Sequence, residues 1–393
     1  MDLLEVIWTI TGTVAANRMG ISNMDILVAH PSLNAGGGSE RLCLAIIESL
    51  KEKGHNVTLA TFEKTIWKDI ENLFGTVFKP DVEIVKPRFF GYSAYGELLN
   101  FHKLLSGLYK SYDVVIVSCT SPWFYCPAAK KTVIYMIPPV YHMNGLKRAY
   151  LIPYVSIQRT FLKKAKNKII LTNSLFSSKV IESIYSLKCK VLYPPVNTED
   201  FNSSPKKEDL VVSVGRFNSF KKFELLIKAF THIENGKCII IGSVYNYTSF
   251  RYLKKLRQLT NKLKLNDRVV LTINSSLHTL KNVLSKAKIY VHCAFFEHFG
   301  ISVVEAMASG CVPIVHRSGG PYIDIIKYGK YGFSFANVNE LAHKIKLLLG
   351  NENLFREFSK KALERSKNFR REFFKRGIIE TVMETYNCDE VIS

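Results

Sequence analysis

The stretch EHFGISVVEAMASG, residues 297–310, gives the clearest indication of the fold class, and it follows a short apolar segment at 288–292. That segment predicts a buried strand, because it is short and rich in β-branched and aromatic residues. Gly300 interrupts the apolar pattern, and Ser302 belongs to the residue types that cap helix N-termini. A strand, a loop and then a helix ending at Gly310 predict one unit of a parallel α/β sheet.

The same alternation of strands and helices extends outward over most of the chain. Ten short apolar segments predict strands, at 25–30, 56–61, 113–118, 132–136 and 168–172, and at 210–215, 238–242, 269–273, 288–292 and 312–316. Most are apolar throughout, which is typical of parallel strands covered on both faces. The predicted fold class is therefore α/β, with two doubly wound, Rossmann-like domains that face each other across a cleft.

Shifts in composition divide the chain into four parts. We predict an N-terminal domain at 24–200 and a C-terminal domain at 201–370, joined through a polar segment. A C-terminal helix at 371–393 follows, with a return to the N-terminal domain as one option. Residues 1–23 form an appendage with two explanations: a start assigned too early, with Met24 as the true first residue, or a short membrane anchor.

Composition and charge limit the classes of function that this protein can have. The chain has 393 residues, 47% of them apolar, and a formal net charge of +21. The apolar fraction excludes an intrinsically disordered chain. The charge indicates a polyanionic partner, which is nucleic acid, an acidic membrane surface or a phosphate-bearing small molecule, unless it reflects a basic proteome. Eight dispersed cysteines without zinc-site spacing predict buried free thiols in a reducing compartment.

The opening stretch also carries the first candidate site. Glu297 is expected in the loop and Glu305 near the first turn of the helix, while the amides of Gly300, Ile301 and Ser302 point at the same space. One carboxylate is suited to sugar hydroxyls, the other to a ribose, and the amides to a phosphate between them. The alternative is a pair of solvated acids beside an ordinary helix start.

A glycine-rich segment, HPSLNAGGGSER at residues 30–41, follows the first predicted strand. Gly36, Gly37 and Gly38 let backbone N–H groups approach an anion, and the helix N-terminus adds a positive dipole. The segment is not G-x-G-x-x-G and lacks a P-loop lysine, so dinucleotide and P-loop nucleotide binding are disfavoured. We predict phosphate binding, with a turn capped by Ser39 as the alternative.

A basic pair, Arg216 and Lys221, follows the first strand of the C-terminal domain. Arginine offers a fork of donors and lysine a point charge, so the two are suited to holding a diphosphate. By itself the pair is also typical of an ordinary surface. Its assignment to a diphosphate is supported by the two glutamates of the stretch at 297–310.

Together these motifs resemble the donor site of the family 4 retaining glycosyltransferases, which have the GT-B fold. The resemblance rests on two glutamates with seven residues between them, on the basic pair, and on Pro313 and Gly319-Gly320-Pro321 downstream. It covers residues 24–370. Within the family, the segments at 34–41, 193–197, 297–305 and 316–325 resemble the α-1,2-mannosyltransferases of asparagine-linked glycosylation, which extend a lipid-linked oligosaccharide.

The resemblance implies a nucleotide-sugar donor, GDP-mannose, in the C-terminal domain and the acceptor in the N-terminal domain. Glu297 would contact the transferred sugar and Glu305 the ribose, and the basic pair would neutralise the diphosphate. The implied donor-binding residues are Gly36, Gly37, Gly38, Arg216, Lys221, His298, Phe299, Gly300, Ile301, Ser302 and Glu305. The implied catalytic residues are Glu297, Arg216, Lys221 and His142.

His142 is included because the sequence on the acceptor side departs from the pattern of the family. Relatives usually carry His-Tyr-Pro after a strand of the N-terminal domain, whereas this chain has Tyr-Met-Ile-Pro-Pro at 135–139. Met136 or Ile137 takes the place of the histidine, and His142 is the nearby substitute. A different acceptor is the other explanation.

We expect no cofactor and no obligate metal. The chain has no Asp-x-Asp motif of the metal-binding type, and Arg216 and Lys221 supply positive charge in its place. A basic segment rich in aromatic residues, at 141–168, predicts contact with an anionic membrane. A solvated helix over a core is the alternative for that segment. The expected location is cytoplasmic, peripheral at the cytoplasmic face of a membrane.

Two other functions stay open. One is a UDP-sugar-dependent transferase with a soluble or protein acceptor. The other, from a different class, is a basic nucleic-acid-binding protein. We expect no nucleic-acid partner, because the chain lacks an RNA-binding aromatic signature and a recognition helix, and because Glu297 and Glu305 would then have no explanation.

Overall fold

The computed structural model describes residues 23–91, 94–119, 131–138, 146–164 and 168–387. The first domain contains the strands β1 (Asp25–Ala29), β2 (Asn56–Thr61), β3 (Val82–Val85), β4 (Val114–Cys119), β5 (Thr132–Met136), β6 (Lys168–Thr172) and β7 (Lys190–Val191). They form one parallel sheet in the order β3-β2-β1-β4-β5-β6-β7. The order reverses between β1 and β4, which is where doubly wound sheets bind ligands.

The second domain repeats this plan. Its strands are β8 (Glu208–Val214), β9 (Lys237–Gly242), β10 (Val269–Ile273), β11 (Ala287–His292), β12 (Val312–His316) and β13 (Phe333–Phe335). They form a parallel sheet in the order β10-β9-β8-β11-β12-β13, with the reversal between β8 and β11. The prediction of two doubly wound α/β domains is confirmed.

Helices cover both sheets. In the first domain they are α1 (Gly38–Glu52), α2 (Trp67–Phe74), α3 (Ala94–Leu105), α4 (Leu146–Lys164) and α5 (Leu175–Tyr185). In the second they are α6 (Phe223–Ala229), α7 (Tyr247–Lys262), α8 (Leu277–Lys286), α9 (Ile301–Ala308), α10 (Val338–Gly350) and α11 (Glu352–Ser366). The last helix is α12 (Arg371–Asn387). Within the described ranges, no helix combines the length and apolar character needed to span a membrane.

Each domain has its own core because its strands are covered on both faces. All five residues of β5 are buried, and α1 packs its stripe of Leu42, Ile46 and Leu50 onto the first sheet. A fully buried aliphatic side chain of this kind contributes about 1.5–3 kcal/mol. Cys43, Cys189, Cys238, Cys293 and Cys311 are free thiols, and all of them are buried as predicted except Cys189, which is half-buried.

The chain crosses between the domains twice, and the two crossings touch. Val196, on the first crossing, donates from its amide to the carbonyl of Phe369 at 3.2 Å and forms a parallel bridge with Arg370. After the second crossing, α12 packs against the first domain through Phe374 and Ile378. Of the predicted appendage at 1–23, only residue 23 lies within the described residues.

Candidate active site

Glu297 lies in the loop between β11 and α9, where it meets two side chains that can carry positive charge. Lys221 Nζ forms an ion pair with Glu297 Oε2, and His292 Nε2 lies 3.4 Å from the same oxygen. Lys221 ends a 3₁₀ turn after β8, and His292 is the last residue of β11. Because β8 and β11 are neighbours, their carboxyl ends bring the three side chains together.

The ion pair sets the protonation states of this group. Burial by itself would raise the pKa of Glu297, but the Lys221 ammonium and His292 hold that pKa well below its usual range. Burial lowers the pKa of His292, and Lys221 adds to the decrease although Glu297 opposes it. The group therefore consists of a carboxylate, an ammonium and a neutral imidazole.

The backbone of the Glu297 loop rests on Gly319 and Gly320. A Cβ atom on Gly319 would lie 2.4 Å from the carbonyl oxygen of Glu297, and one on Gly320 would lie 2.0 Å from that of His298. Both distances are far below van der Waals contact, so only glycine fits. The amide of Gly320 also donates to the carbonyl of Glu297 at 2.8 Å. The Gly-Gly-Pro motif thus fixes the position of this loop.

The prediction that Ser302 caps α9 is wrong. Gly300 precedes the helix with a φ of 99°, a conformation that glycine adopts without strain, and the helix begins at Ile301. Ser302 lies in the first turn, where its hydroxyl accepts a hydrogen bond from Tyr290 at 2.8 Å. A helix start leaves its first N–H groups without intrahelical partners, so residues 300–302 remain suited to a phosphate.

Two further residues of this stretch, His298 and Phe299, differ in what they offer a donor. Phe299 is 2% exposed and packs against Phe369, with ring centroids 5.4 Å apart, so its side chain belongs to the core. The ring of His298 reaches the other domain and lies 6.4 Å from that of Phe176. Its buried Nε2 has no hydrogen-bond partner within the described part of the chain. That atom is therefore available to a ligand between the domains.

Glu305 finds its partner in the opposite domain. It is 6% exposed on α9, and Arg41 Nη1 from α1 donates to its Oε1 at 2.7 Å. The Arg41 guanidinium also lies 5.5 Å from the ring centroid of Phe74. The sequence alone assigns no role to Arg41, although it follows the glycine segment closely, because nothing local indicates which acid of the other domain it meets. The carboxylate expected to hold a ribose is thus also a contact across the cleft.

The glycine loop approaches α9 across the same cleft. A Cβ atom on Gly38 would lie 3.5 Å from Ile301 Cδ1. The amide of Gly37 donates to Glu40 Oε2 at 2.7 Å, and the amide of Gly36 to the carbonyl of residue 33 at 3.3 Å. These two amides are therefore engaged by the protein itself, and an anion at this loop would have to compete with Glu40 for one of them.

His30 and Glu40 form a buried pair next to the glycine loop, and Glu40 contacts that loop directly. Glu40 Oε1 accepts a hydrogen bond from the Ser39 hydroxyl at 2.7 Å and lies 3.7 Å from His30 Nε2. Ser39 therefore bonds to Glu40 rather than capping α1. His30 Nδ1 lies 2.6 Å from the carbonyl oxygen of Ser118. Burial alone would lower the pKa of His30, but Cys43 and Glu40 raise that pKa to about 10. Burial alone would raise the pKa of Glu40, but His30 lowers it to about 2.

Arg216 follows β8 at the same end of the sheet as Lys221, and it is exposed. Its guanidinium lies 5.9 Å from the ring centroid of Tyr245, which follows β9. A diphosphate at this edge would meet one exposed guanidinium and one ammonium shared with Glu297. Among the described residues, no group of three or more His, Cys, Asp or Glu side chains is placed to hold a metal ion.

The acceptor side is only partly described. His142 lies outside the described residues. Within the basic segment at 141–168, Tyr154 is fully buried and accepts a hydrogen bond from Gln158 at 2.7 Å, and Arg159 donates to the carbonyl of Ile184 at 2.5 Å. The predicted membrane-facing role is therefore wrong for these two side chains, because α4 turns them toward the protein.

A contact outside the predicted site also joins the domains. Asp324, in the second domain, accepts from the amides of Leu175 at 2.7 Å and Phe176 at 3.3 Å, at the start of α5 in the first domain. Tyr193 donates to the same carboxylate at 3.1 Å. The sequence does not indicate this contact, because Asp324 and α5 are far apart along the chain.

Two family models match the chain, one for each domain. The model described as Glycosyltransferase Family 4 matches residues 36–200, and the model described as Glycosyl transferases group 1 matches residues 196–365. The two matches meet at the first crossing between the domains.

Curated relatives match over most of the chain. A Dictyostelium discoideum protein named GDP-Man:Man(3)GlcNAc(2)-PP-Dol alpha-1,2-mannosyltransferase is 23% identical over an alignment of 438 positions, gaps included, that covers 94% of this chain and 86% of that protein. The Homo sapiens protein of the same name is 25% identical over 379 residues, covering 80% of this chain and 76% of its own.

Solved structures share the two-domain architecture. A glycosyltransferase from Rickettsia africae superposes with a TM-score of 0.70 at 19% identity, covering 93% of this chain and 99% of its own. HepE of Anabaena, in complex with UDP and glucose, has a TM-score of 0.70 at 18% identity, covering 92% of this chain and 100% of its own. At such identities the likeness establishes the fold.

Proposed function

Because the chain belongs to the family 4 glycosyltransferases of the GT-B fold, we propose that it transfers mannose from GDP-mannose to a lipid-linked oligosaccharide. The relatives that match over most of both chains carry a name with this donor, this acceptor and an α-1,2 linkage. In the structure the main support is the Lys221–Glu297 pair at the carboxyl ends of β8 and β11. An ammonium beside a carboxylate suits a diphosphate next to a sugar.

The first contribution of the protein in this proposal is to stabilise the leaving group. The bond between the anomeric carbon of mannose and the diphosphate breaks, and the acceptor hydroxyl forms the new bond while its proton is released. The electron pair of the broken bond stays on GDP, so negative charge grows on the diphosphate. Arg216, Lys221 and the first amides of α9 are assigned to this charge, because preorganised donors lower the barrier where charge develops.

The two carboxylates hold the donor in place. Glu297 accepts hydrogen bonds from the mannose hydroxyls, and its low pKa keeps it charged for that task. Lys221 has three N–H donors, so it can serve both Glu297 and the diphosphate. Glu305 accepts from the ribose hydroxyls while Arg41 engages its Oε1. Retention of configuration follows the family resemblance.

The proposal needs no cofactor and no obligate metal, because Arg216 and Lys221 supply the positive charge. EDTA is therefore expected to leave the rate of transfer unchanged, and a rate restored only by added Mg²⁺ or Mn²⁺ would contradict this part. A lipid-linked acceptor requires the enzyme to work at a membrane surface. We therefore propose a peripheral location at the cytoplasmic face of that membrane.

The direct test is transfer by the purified full chain. Radiolabelled GDP-mannose is supplied with a lipid-linked oligosaccharide that ends in mannose, and the product is digested with an α-1,2-mannosidase. We expect a labelled product from which the mannosidase releases the label. UDP-glucose and UDP-N-acetylglucosamine are the competing donors. A chain that used either of them with a soluble acceptor, and left GDP-mannose untouched, would contradict the proposal.

A further inference from the structure

The outer face of α7 carries a concentration of positive charge that the donor site does not use. From residue 235 to residue 266 the chain has no Asp or Glu. The cations of α7 and of the turn that follows it are all exposed: Arg251, Lys254, Lys255, Arg257, Lys262 and Lys264. An uncompensated stretch of this kind creates a positive potential over the surface around it.

The inner face of α7 is fixed in the protein. Leu253 and Leu256 are buried in the core of the second domain, and Thr260 donates to the carbonyl of Leu256 at 2.9 Å. The basic face is therefore held rigidly outward.

Exposed aromatic side chains cluster where α7 begins. Tyr245 is 59% exposed, Tyr247 74% and Phe250 52%. The ring of Tyr245 lies beside the Arg216 guanidinium of the donor site, and the ring of Tyr247 lies 5.9 Å from the Arg251 guanidinium. Large apolar side chains grouped at one place on a surface mark an interaction site more often than scattered ones do.

We propose that the outer face of α7, with the aromatic side chains at its start, docks the enzyme onto an anionic lipid bilayer. The choice of a bilayer rests on the proposed function, because a lipid-linked acceptor resides there. Lys and Arg are attracted to anionic headgroups, and tyrosines and other aromatic side chains settle at the headgroup level. A nucleic acid would use the cations equally well, but Phe250 would gain contact only with unstacked bases.

Docking on this face would bring the donor site to the acceptor. Arg216 lies beside Tyr245, so the edge of the cleft that holds the diphosphate would lie near the headgroups. The phosphate-linked end of the acceptor is anchored at the same level of the bilayer. The short path from bilayer to cleft is what a tethered acceptor requires.

The test compares binding of the full chain to vesicles of phosphatidylcholine alone and to vesicles that also contain phosphatidylserine, by flotation. The triple variant Lys254→Glu, Lys255→Glu, Arg257→Glu is expected to lose at least about tenfold in binding to the anionic vesicles. The control variant Lys346→Glu, Arg356→Glu, Lys360→Glu changes the net charge equally, on α10 and α11. It should bind as the unmodified chain does.

Several results would overturn the inference. The first is that the α7 variant binds vesicles as well as the unmodified chain does, and the second is that the control variant loses as much binding as the α7 variant. The third is that the α7 variant loses binding to a single-stranded RNA but keeps its binding to vesicles. If the triple variant fails to fold, the neutral pair Lys255→Gln, Arg257→Gln replaces it, with an expected loss of about threefold or more.

Transfer to an acceptor dispersed in detergent separates this inference from the proposed function. The α7 variant should transfer mannose there at the rate of the unmodified chain, because its changes lie outside the donor site. Loss of vesicle binding with transfer retained supports the docking surface. Vesicle binding that depends on α7, in a chain that transfers no mannose from GDP-mannose, would remove the proposed function but leave the surface intact.

Discussion

Each side of the cleft carries a buried histidine beside a carboxylate, and the pKa values of the two histidines are shifted in opposite directions. His30 follows β1 and lies 3.7 Å from Glu40, while His292 ends β11 and lies 3.4 Å from Glu297. The pKa of His30 is raised to about 10, whereas that of His292 is lowered. The two residues are 1% and 2% exposed, so burial does not explain the difference.

The difference has two causes, Cys43 beside His30 and Lys221 beside His292. Cys43 and Glu40 both raise the pKa of His30. The Lys221 ammonium instead pairs with Glu297 and lowers the pKa of His292, so that imidazole stays neutral. In the His30 group the cation is a buried ring fixed between two elements, which suits a group that holds backbone in place. In the Lys221 group the cation is at the end of a long, partly exposed side chain, which suits a group that binds a charged ligand.

Removing the ammonium should have the largest effect. We expect Lys221→Met to reduce transfer by at least about 100-fold, as loss of a donor to developing charge does, while the protein still folds. Glu297→Ala should reduce transfer by a similar factor. In Lys221→Met the pKa of His292, followed by NMR titration, should rise toward that of His30, because only the charge of Glu297 then acts on it.

The matched control for this experiment is Lys228→Met, which removes an exposed cation from α6 in the same domain. It should transfer at a normal rate. Near-normal transfer by Lys221→Met would contradict its role in the site, and an unchanged pKa of His292 would contradict the explanation of the two proton states.

Gly320→Ala tests whether the Gly-Gly-Pro motif holds Glu297 in position. The new methyl group would overlap the carbonyl oxygen of His298, so the loop must move, at a cost of about 1–3 kcal/mol in the free energy of unfolding. Calorimetry should show the lower stability and weaker binding of GDP. Gly350→Ala is the control, since nothing lies within 4 Å of its added Cβ. Equal stability of the two variants would refute the role of the motif.

His30→Gln tests the other side of the cleft. The folded state holds a proton on His30 between its ordinary pKa of 6.5 and the raised value of about 10, and the unfolded state does not. Stability is therefore expected to fall as pH rises through this window, by about 1 kcal/mol or more, and to fall less in the variant. Urea unfolding at a series of pH values measures both slopes, and parallel slopes would rule out a charged His30.

The contact between the two sides should have the smallest effect. Arg41 and Glu305 form one ion pair, and the side chain of Arg41 is 31% exposed, so solvent weakens the interaction. A double-mutant cycle with Arg41→Ala and Glu305→Gln should give a coupling between about 0.3 and 1 kcal/mol in the free energy of unfolding. A coupling of zero would show that the pair holds nothing together.

The sequence predicts the elements that are long and apolar, and it misses those that lack a continuous apolar run. The ten predicted strands are all present. The sequence does not predict the edge strands β3, β7 and β13, because β3 has four residues with both ends exposed, β7 has only two residues and β13 only three. Their pairing depends on the neighbouring strand rather than on their own pattern.

The site shows the same limit. The sequence places Glu297, Arg216 and Lys221 at the carboxyl edge of one sheet, because that edge follows from strand order. It misses Arg41 and Asp324, whose partners lie in the other domain, since contacts of that kind leave no local pattern. It does not reveal that the Phe299 side chain packs in the core, because an aromatic residue in a polar loop is equally suited to a ligand and to a core.

The paired crossings at Val196 and Arg370 have a mechanical consequence. Because the two links touch, the domains are joined at one place, and a motion that separated the links would break the Val196–Phe369 hydrogen bond. Such a joint limits the relative orientations open to the two domains, which lowers the entropic cost of gathering a donor between them.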